Sequence, residues 1–272
     1  MTKPRKDIIR DNKRVLSWGL GRQSTALAAM SVNGDIPPYD LILFADTGWE
    51  LPTSYKIFDI YSEYLRERGA TVEKVGIDNV FNDGKESGYV NIPLYQFPTG
   101  APLQRQCTKL YKIEPVRKYI RSWLGHKSPR GGRIPAGLVK LSLGIAYDEY
   151  KRMRDSYTAF IVNEFPLVDM KITTTQCLDY LDKKGLPLPP KSACICCPFS
   201  NKARFFQIKN EFSEDWEKLV EFDRRIRQPT ERMAKRGFTG ELYLNRELVP
   251  ITDIKIIKDQ DSEVCDTGYC FV

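Results

Sequence analysis

A β-prone run, Arg14-Val15-Leu16, leads directly into Ser17-Trp18-Gly19-Leu20-Gly21-Arg22-Gln23-Ser24, and from there into Thr25-Ala26-Leu27 and Met30 at helical spacing. Strand, glycine-bearing turn and helix start follow one another, as at the opening of a β-α unit. The glycines are expected to supply positive φ and a close backbone approach to a ligand. Ser17 and Ser24 would add hydroxyl donors to the free N–H groups of the first helical turn. These are the parts of a phosphate cradle. A P-loop is excluded, because no Gly-Lys-Ser/Thr run follows. A dinucleotide-binding turn stays as a rival: Gly19, Gly21 and an acid at Asp40 or Asp46 nearly match it, although Ser24 stands at its third small position. An ordinary glycine turn is the plain alternative.

Beyond this turn Pro37-Pro38 break the chain, and Leu41 to Ala45 reads as a strand buried on both faces. Asp46 stands at its C-terminal end, the edge where open α/β sheets bind ligands, as a candidate for Mg²⁺ or ribose contact. Glu50 and Pro52 can equally mark the start of the next helix, which runs to Arg68 with Ile57, Phe58, Tyr61 and Leu65 at its spacing. Thr71 to Val75 adds a strand, and this β-α-β-α-β alternation argues for a mostly parallel open sheet with helices on both faces. Residues 76 to 104 read as a long loop. A basic helix start then carries Arg105, Cys107, Lys109 and Lys112, with cations suited to phosphate or sulfate. Val139 to Ile145 is a further strand leading through Gly144 to Glu149 and Arg152, an i,i+3 pair if nothing else engages them. Phe160 to Val168 reads as the last strand and Thr174 to Lys183 as a helix bearing Cys177.

Composition narrows the chemistry. With 42 Lys plus Arg against 35 Asp plus Glu, the balance favours an anionic partner such as a nucleotide, a sulfate ester or a nucleic acid. The single histidine, His126, lies among polar loop residues, which argues against Ser-His-Asp or Cys-His catalysis. Any transition-metal site must therefore rest on cysteine and carboxylate. Seven cysteines in a chain whose first residues are charged throughout point to metal or redox use rather than disulfides. Cys194 and Cys197 form a C-x-x-C pair that needs two more ligands, and Cys107 and Cys177 are the natural choices. Structural zinc and a four-iron cluster both suit such a set. Cys196 is then a spare thiol, packed or beside the centre. No run approaches the length of a membrane span, so a cytoplasmic protein is expected.

Four segments together carry a resemblance. Ser-x-Gly-x-Gly-x-Gln-Ser-Thr-Ala-Leu at Ser17 to Leu27 resembles the pyrophosphate loop of the PP-loop ATP pyrophosphatases, in the variant found in the phosphoadenosine phosphosulfate (PAPS) reductase family. Phe44-Ala45-Asp46-Thr47-Gly48-Trp49-Glu50-Leu51-Pro52 is similar to that family's Asp-Thr-Gly motif, and Cys107-Thr108 with Lys112-Ile113 and Pro115 to a third. Gly144-Ile145-x-x-Asp148-Glu149-x-x-Arg152 matches a segment whose arginine meets the anionic end of nucleotide or substrate. The cysteine pattern resembles that of the DNA phosphorothioation sulfurtransferases of the same superfamily, which favours a 4Fe-4S cluster over zinc.

The resemblance covers roughly residues 14 to 200 and implies an adenine nucleotide alpha hydrolase-like domain over 1–200, including the cysteine site. A helical cap with a cysteine-containing tail would follow over 201–272. It implies ATP held by Ser17, Gly19, Gly21, Arg22, Gln23, Ser24, Asp46 and Gly144, with Asp46 helping to place Mg²⁺ and Lys109 and Arg152 stabilising developing charge. The cluster ligands would be Cys107, Cys177, Cys194 and Cys197. The implied reaction adenylates an acceptor for sulfur transfer to a nucleic acid, with a sulfur-donor protein such as a cysteine desulfurase as a partner. Two other functions stay open. One is a thiol-dependent PAPS or adenosine phosphosulfate reductase; the family's tail motif is only echoed here by Glu263-Val264-Cys265, with no histidine after it, and Cys270 inherits no role from it. The other is a non-catalytic accessory subunit of a nucleic-acid-processing complex.

Overall fold

The computed structural model describes residues 12–76, 79–82, 91–126, 132–235 and 240–255. Cys265 and Cys270, the charged N-terminal run and much of the basic stretch from Lys127 to Arg133 lie outside them.

A five-stranded sheet forms the base of the fold, with strands β1 (Lys13–Ser17), β2 (Leu41–Ala45), β3 (Val72–Val75), β6 (Val139–Leu143) and β7 (Ile161–Glu164) in the order β3-β2-β1-β6-β7. Every pairing within it is parallel, as the sequence predicts. The chain fills one side, β1 to β3, and then returns to the other side of β1. The end of β1 beside β6 is thus the point where strand order reverses, the crevice in which open α/β sheets hold ligands.

Alternating residues of the strands feed two separate cores. Leu16, Ile42 and Phe44 face α1 (Arg22–Val32), α2 (Pro52–Glu67) and α5 (Thr174–Lys183). Val15, Leu41, Leu43 and Val139 face α3 (Glu114–Trp123), which contributes Val116 and Ile120 and is preceded by a π-helical segment, Thr108–Ile113. Helices therefore cover both faces, and this explains why β2 is apolar at successive positions rather than at alternate ones.

The last strand is shorter than expected. It ends at Glu164, because Pro166 cannot extend a ladder and instead opens the short helix α4 (Pro166–Asp169). Helix α5 starts where the sequence places it, with a capping box between Thr173 and Gln176.

A third core was not foreseen. It joins Trp49, Leu51, Val80, Ile92, Leu94, Tyr111, Ile195 and Cys196 to helices α6 (Lys202–Glu211) and α7 (Ser213–Ile226), with α8 (Glu231–Ala234) following in the chain. The C-terminal segment is also more than a helical cap. It supplies β8 (Leu242–Tyr243), which pairs antiparallel with β4 (Tyr95–Gln96), itself paired with β5 (Ala101–Pro102). The third core thus spans the expected boundary near residue 200, and the cysteine segment packs with the C-terminal helices.

Candidate functional site

The loop from Ser17 to Ser24 sits at the reversal point. Its left-handed residue is Leu20 (φ 56°), whereas Gly21 is the extended N-cap of α1 (φ −86°, ψ 168°). The expectation that these glycines supply positive φ is corrected: buried Leu20 bears that strain and is anchored in the first core. A Cβ on Gly21 would meet only Gln23 Oε1, at 3.9 Å. Helix α1 starts with no side-chain cap and no acid in its first turn, leaving its positive end available to an anion. The Ser24 hydroxyl turns back and donates to the Gly21 carbonyl at 3.3 Å.

Gly144 closes one wall. A Cβ there would lie 2.5 Å from the Ser24 backbone nitrogen and 2.7 Å from its Cα, so no side chain fits between the end of β6 and the first turn of α1. The Gln23 amide donates to Glu149 Oε2 at 3.0 Å, and Arg152 forms an ion pair with Glu149 Oε1 at 2.7 Å. Buried Nε atoms of Arg22 and Arg152 have no hydrogen-bond partner. An uncapped helix start, a wall that admits only glycine and two under-used guanidinium groups fit a nucleotide's phosphates.

Asp46 lies at the end of β2, beside β1. Its Oδ1 accepts from the Gly48 N–H at 2.8 Å and from the Tyr55 hydroxyl at 2.9 Å, and Oδ2 faces Lys74 Nζ at 3.6 Å. Gly48 is a position where glycine is required, since φ is +77° and a Cβ would strike Asn79 at 2.8 Å.

The same turn continues into a second pocket, lined by Thr47, Arg105, Cys107, Lys112, Cys194, Cys196 and Cys197 among others. Thr47 Oγ1 lies 3.2 Å from Cys194 Sγ, and the Cys194 thiol donates to Glu50 Oε1 at 3.5 Å. Burial pushes the Cys194 thiol well above its ordinary range, with Glu50 adding to the rise and Lys112 opposing it. Burial likewise raises Cys196, which is fully enclosed in the third core. Behind the pocket the buried Arg204 guanidinium donates to the Ala193 carbonyl at 2.6 Å and to that of Lys191 at 3.3 Å, fixing the approach to Cys194. Burial draws Arg204 down, while the charges of Glu50, Cys197 and Cys194 hold it up.

Two expected residues are placed elsewhere. Cys177 belongs to the first core, fully enclosed against α1, because Cys177 and Leu181 form the inward face of α5. Burial, then Asp148 and Glu149, push its thiol up to about 12. It is not brought to the other cysteines, and its assignment as a metal ligand is corrected. Lys109 points outward, its side chain 70% exposed and 3.8 Å from Glu114, whereas Lys112, one helical step further on, lines the pocket.

Among the described residues, no three His, Cys, Asp or Glu side chains are already gathered around one point as metal ligands. The donor chemistry nonetheless suits a soft metal centre, with Cys107, Cys194 and Cys197 on one pocket wall system and no histidine lining it. The sequence gives Arg204 no role, and Thr47 and Glu50 none of their own beyond membership of the Asp-Thr-Gly segment and, for Glu50, a helix-start signal. Two signals were present: an acid between Trp49 and Leu51, and an arginine between Ala203 and Phe205, charges set in apolar surroundings.

No protein-family model matches the chain, and no curated protein does. Solved structures similar to it in fold include two enzymes. Phosphoadenylyl-sulfate (PAPS) reductase from Candida auris, in a phosphate complex, is 14% identical, with 67% of this chain and 76% of that chain covered and a TM-score of 0.40. The U34-tRNA thiolase NcsA from Methanococcus maripaludis, solved with its 4Fe-4S cluster, is also 14% identical, with 80% of this chain and 72% of that chain covered and a TM-score of 0.43. None of the described helices is long and apolar enough to cross a membrane.

Proposed function

We propose that this chain is an ATP pyrophosphatase-type enzyme that adenylates an acceptor, a nucleic acid, so that sulfur can replace the activated oxygen. The observation that carries the reading is the Asp46–Glu50 turn. Its first residue stands beside the strand that ends in the Ser17–Ser24 loop, and Thr47 and Glu50 touch Cys194. A nucleotide pocket and a thiol pocket thus share one short segment.

In this reading the uncapped start of α1 and the Ser17–Ser24 backbone bind the β/γ-phosphates of ATP. Gly144 leaves them room, and Arg22 and Arg152 neutralise charge that develops as pyrophosphate departs. Asp46 orients Mg²⁺. An acceptor oxygen attacks the α-phosphorus and releases pyrophosphate; a sulfur nucleophile then bonds to the acceptor carbon, and AMP leaves with the oxygen. Cys107, Cys194 and Cys197 would hold an iron–sulfur cluster, with zinc the alternative metal, and such a centre supplies a place to bind sulfide. Arg105 and Lys112, which line that pocket, attract anions to it. Lys109, turned outward, has no part.

Anaerobic purification with iron, sulfide and zinc analysis, followed by incubation with ATP and Mg²⁺, tests this reading. Iron and sulfide together with AMP and pyrophosphate support it. Sulfite released from PAPS with thioredoxin and no ATP overturns it in favour of a reductase, and no turnover of either nucleotide favours an accessory subunit.

A further inference from the structure

Behind two residues of the thiol pocket wall, Thr47 and Cys194, lies a buried acid that the adenylation chemistry leaves unused. Glu50 is 2% exposed. Its backbone and that of Cys194 form an antiparallel bridge, which sets the two side chains next to each other on one face. Its Oε1 accepts from Thr47 Oγ1 at 3.0 Å and from Cys194 Sγ at 3.5 Å, while Oε2 is buried without any hydrogen-bond partner. A carboxylate oxygen removed from water is strongly disfavoured unless a donor or a cation meets it. Arg204 carries the opposing charge, but its hydrogen bonds go to the Lys191 and Ala193 carbonyls.

We propose that Glu50 is a metal ligand, its carboxylate completing a site of three thiolates from Cys107, Cys194 and Cys197. This rests on reading that pocket as a metal site. Among the described residues, the other two cysteines compete poorly for the fourth place. Cys177 lies in the first core. Cys196 borders the pocket too, but it has no exposed surface and packs among Trp49, Leu51, Ile195 and Phe205, an apolar setting in which a thiol needs no partner. A carboxylate is also a harder donor than a thiolate and holds a soft metal less firmly, so the Glu50 position is the exchangeable one.

The test adds Co²⁺, as a probe, to the anaerobic metal-free full-length protein. The intensity of sulfur-to-cobalt charge transfer counts the thiolates. Three are expected in the wild type and in Cys177→Ser, while Glu50→Gln keeps three and binds Co²⁺ at least tenfold more weakly. Four thiolates in the wild type, loss of one in Cys177→Ser, or unchanged affinity in Glu50→Gln overturns the assignment of Glu50 and leaves the pocket a metal site. Failure of the wild type to bind Co²⁺ through any cysteine overturns the metal reading itself. Circular dichroism checks that Glu50→Gln folds; if it does not, the wild-type thiolate count decides.

Discussion

The Thr47 hydroxyl lies 3.2 Å from Cys194 Sγ and donates to Glu50 Oε1 at 3.0 Å, linking the turn after β2 to the C-x-x-C segment 147 positions later in the chain. Backbone pairing reinforces the link, since the Ile195 N–H donates to the Trp49 carbonyl at 2.9 Å. The cysteine segment is thus anchored at the C-terminal edge of the sheet by main-chain and side-chain bonds together.

Replacing Thr47 by valine keeps the shape and removes the hydroxyl. One donor to a buried carboxylate is lost, so Thr47→Val is expected to lower stability by about 1–3 kcal/mol in urea unfolding, with Thr47→Ser recovering most of it. Equal unfolding midpoints for wild type and Thr47→Val would show that the hydroxyl does not support Glu50.

The two glycines of the proposed nucleotide pocket should respond in opposite ways. Gly144→Ala drives a methyl into the Ser24 backbone, where no side-chain rotation relieves it, and should cost about 2 kcal/mol or more. Gly21→Ala meets nothing closer than 3.9 Å at a φ that alanine readily adopts, so stability should stay within about 0.5 kcal/mol. If phosphates approach Gly21, ATP binding measured by calorimetry should nevertheless weaken at least tenfold in that variant. Wild-type affinity would mean that Gly21 serves the loop alone.

The sheet was legible because its strands are short, apolar and separated by helices with clear starts, and because Pro37-Pro38 and Pro52 punctuate them. The third core was not, since it is assembled from pieces far apart in sequence: Trp49, Tyr111, Ile195 and the helices after Asn201. Counting cysteines suggested ligands, but only helix phase separates Cys177, one turn from Leu181 and facing the core, from Cys107 on a pocket wall. Lys109 and Lys112 differ in the same way. Glycine content likewise suggested that the glycines take the positive φ of the turn, although the residue that does so is a leucine that apolar burial holds in place.

Cys177 makes stability depend on alkaline pH. Its thiol is raised in the folded chain to about 12 from an ordinary value of 9.0, so the folded state favours the protonated form. This contribution is fully present below pH 9 and is lost as pH rises from there towards 12, by at most about 1.4 kcal/mol per pH unit. Tyrosines raised by burial, among them Tyr61, slope the same way. The measurement is therefore a difference: urea unfolding at pH 8 and pH 10.5, wild type against Cys177→Ala. Wild type should lose more stability than the variant over that interval, and parallel losses would count against burial of the thiol.

Glu149 and Arg152 give the sharpest electrostatic test of the proposed nucleotide pocket. Glu149 accepts from the Gln23 amide and also holds Arg152, so a negative charge stands beside the start of α1, where phosphates are proposed to bind. Glu149→Gln keeps a hydrogen-bond acceptor for Gln23 while removing that charge and freeing Arg152. It is expected to tighten pyrophosphate binding several-fold at low ionic strength, an effect that fades as salt screens the site. Arg152→Ala is expected to weaken the same binding by roughly tenfold, one charge-assisted contact being lost. Opposite signs in calorimetric titrations would identify Arg152 as the anion contact and Glu149 as its internal competitor. If both variants weaken binding alike, the pair instead acts as a unit that positions Gln23 and the first turn of α1.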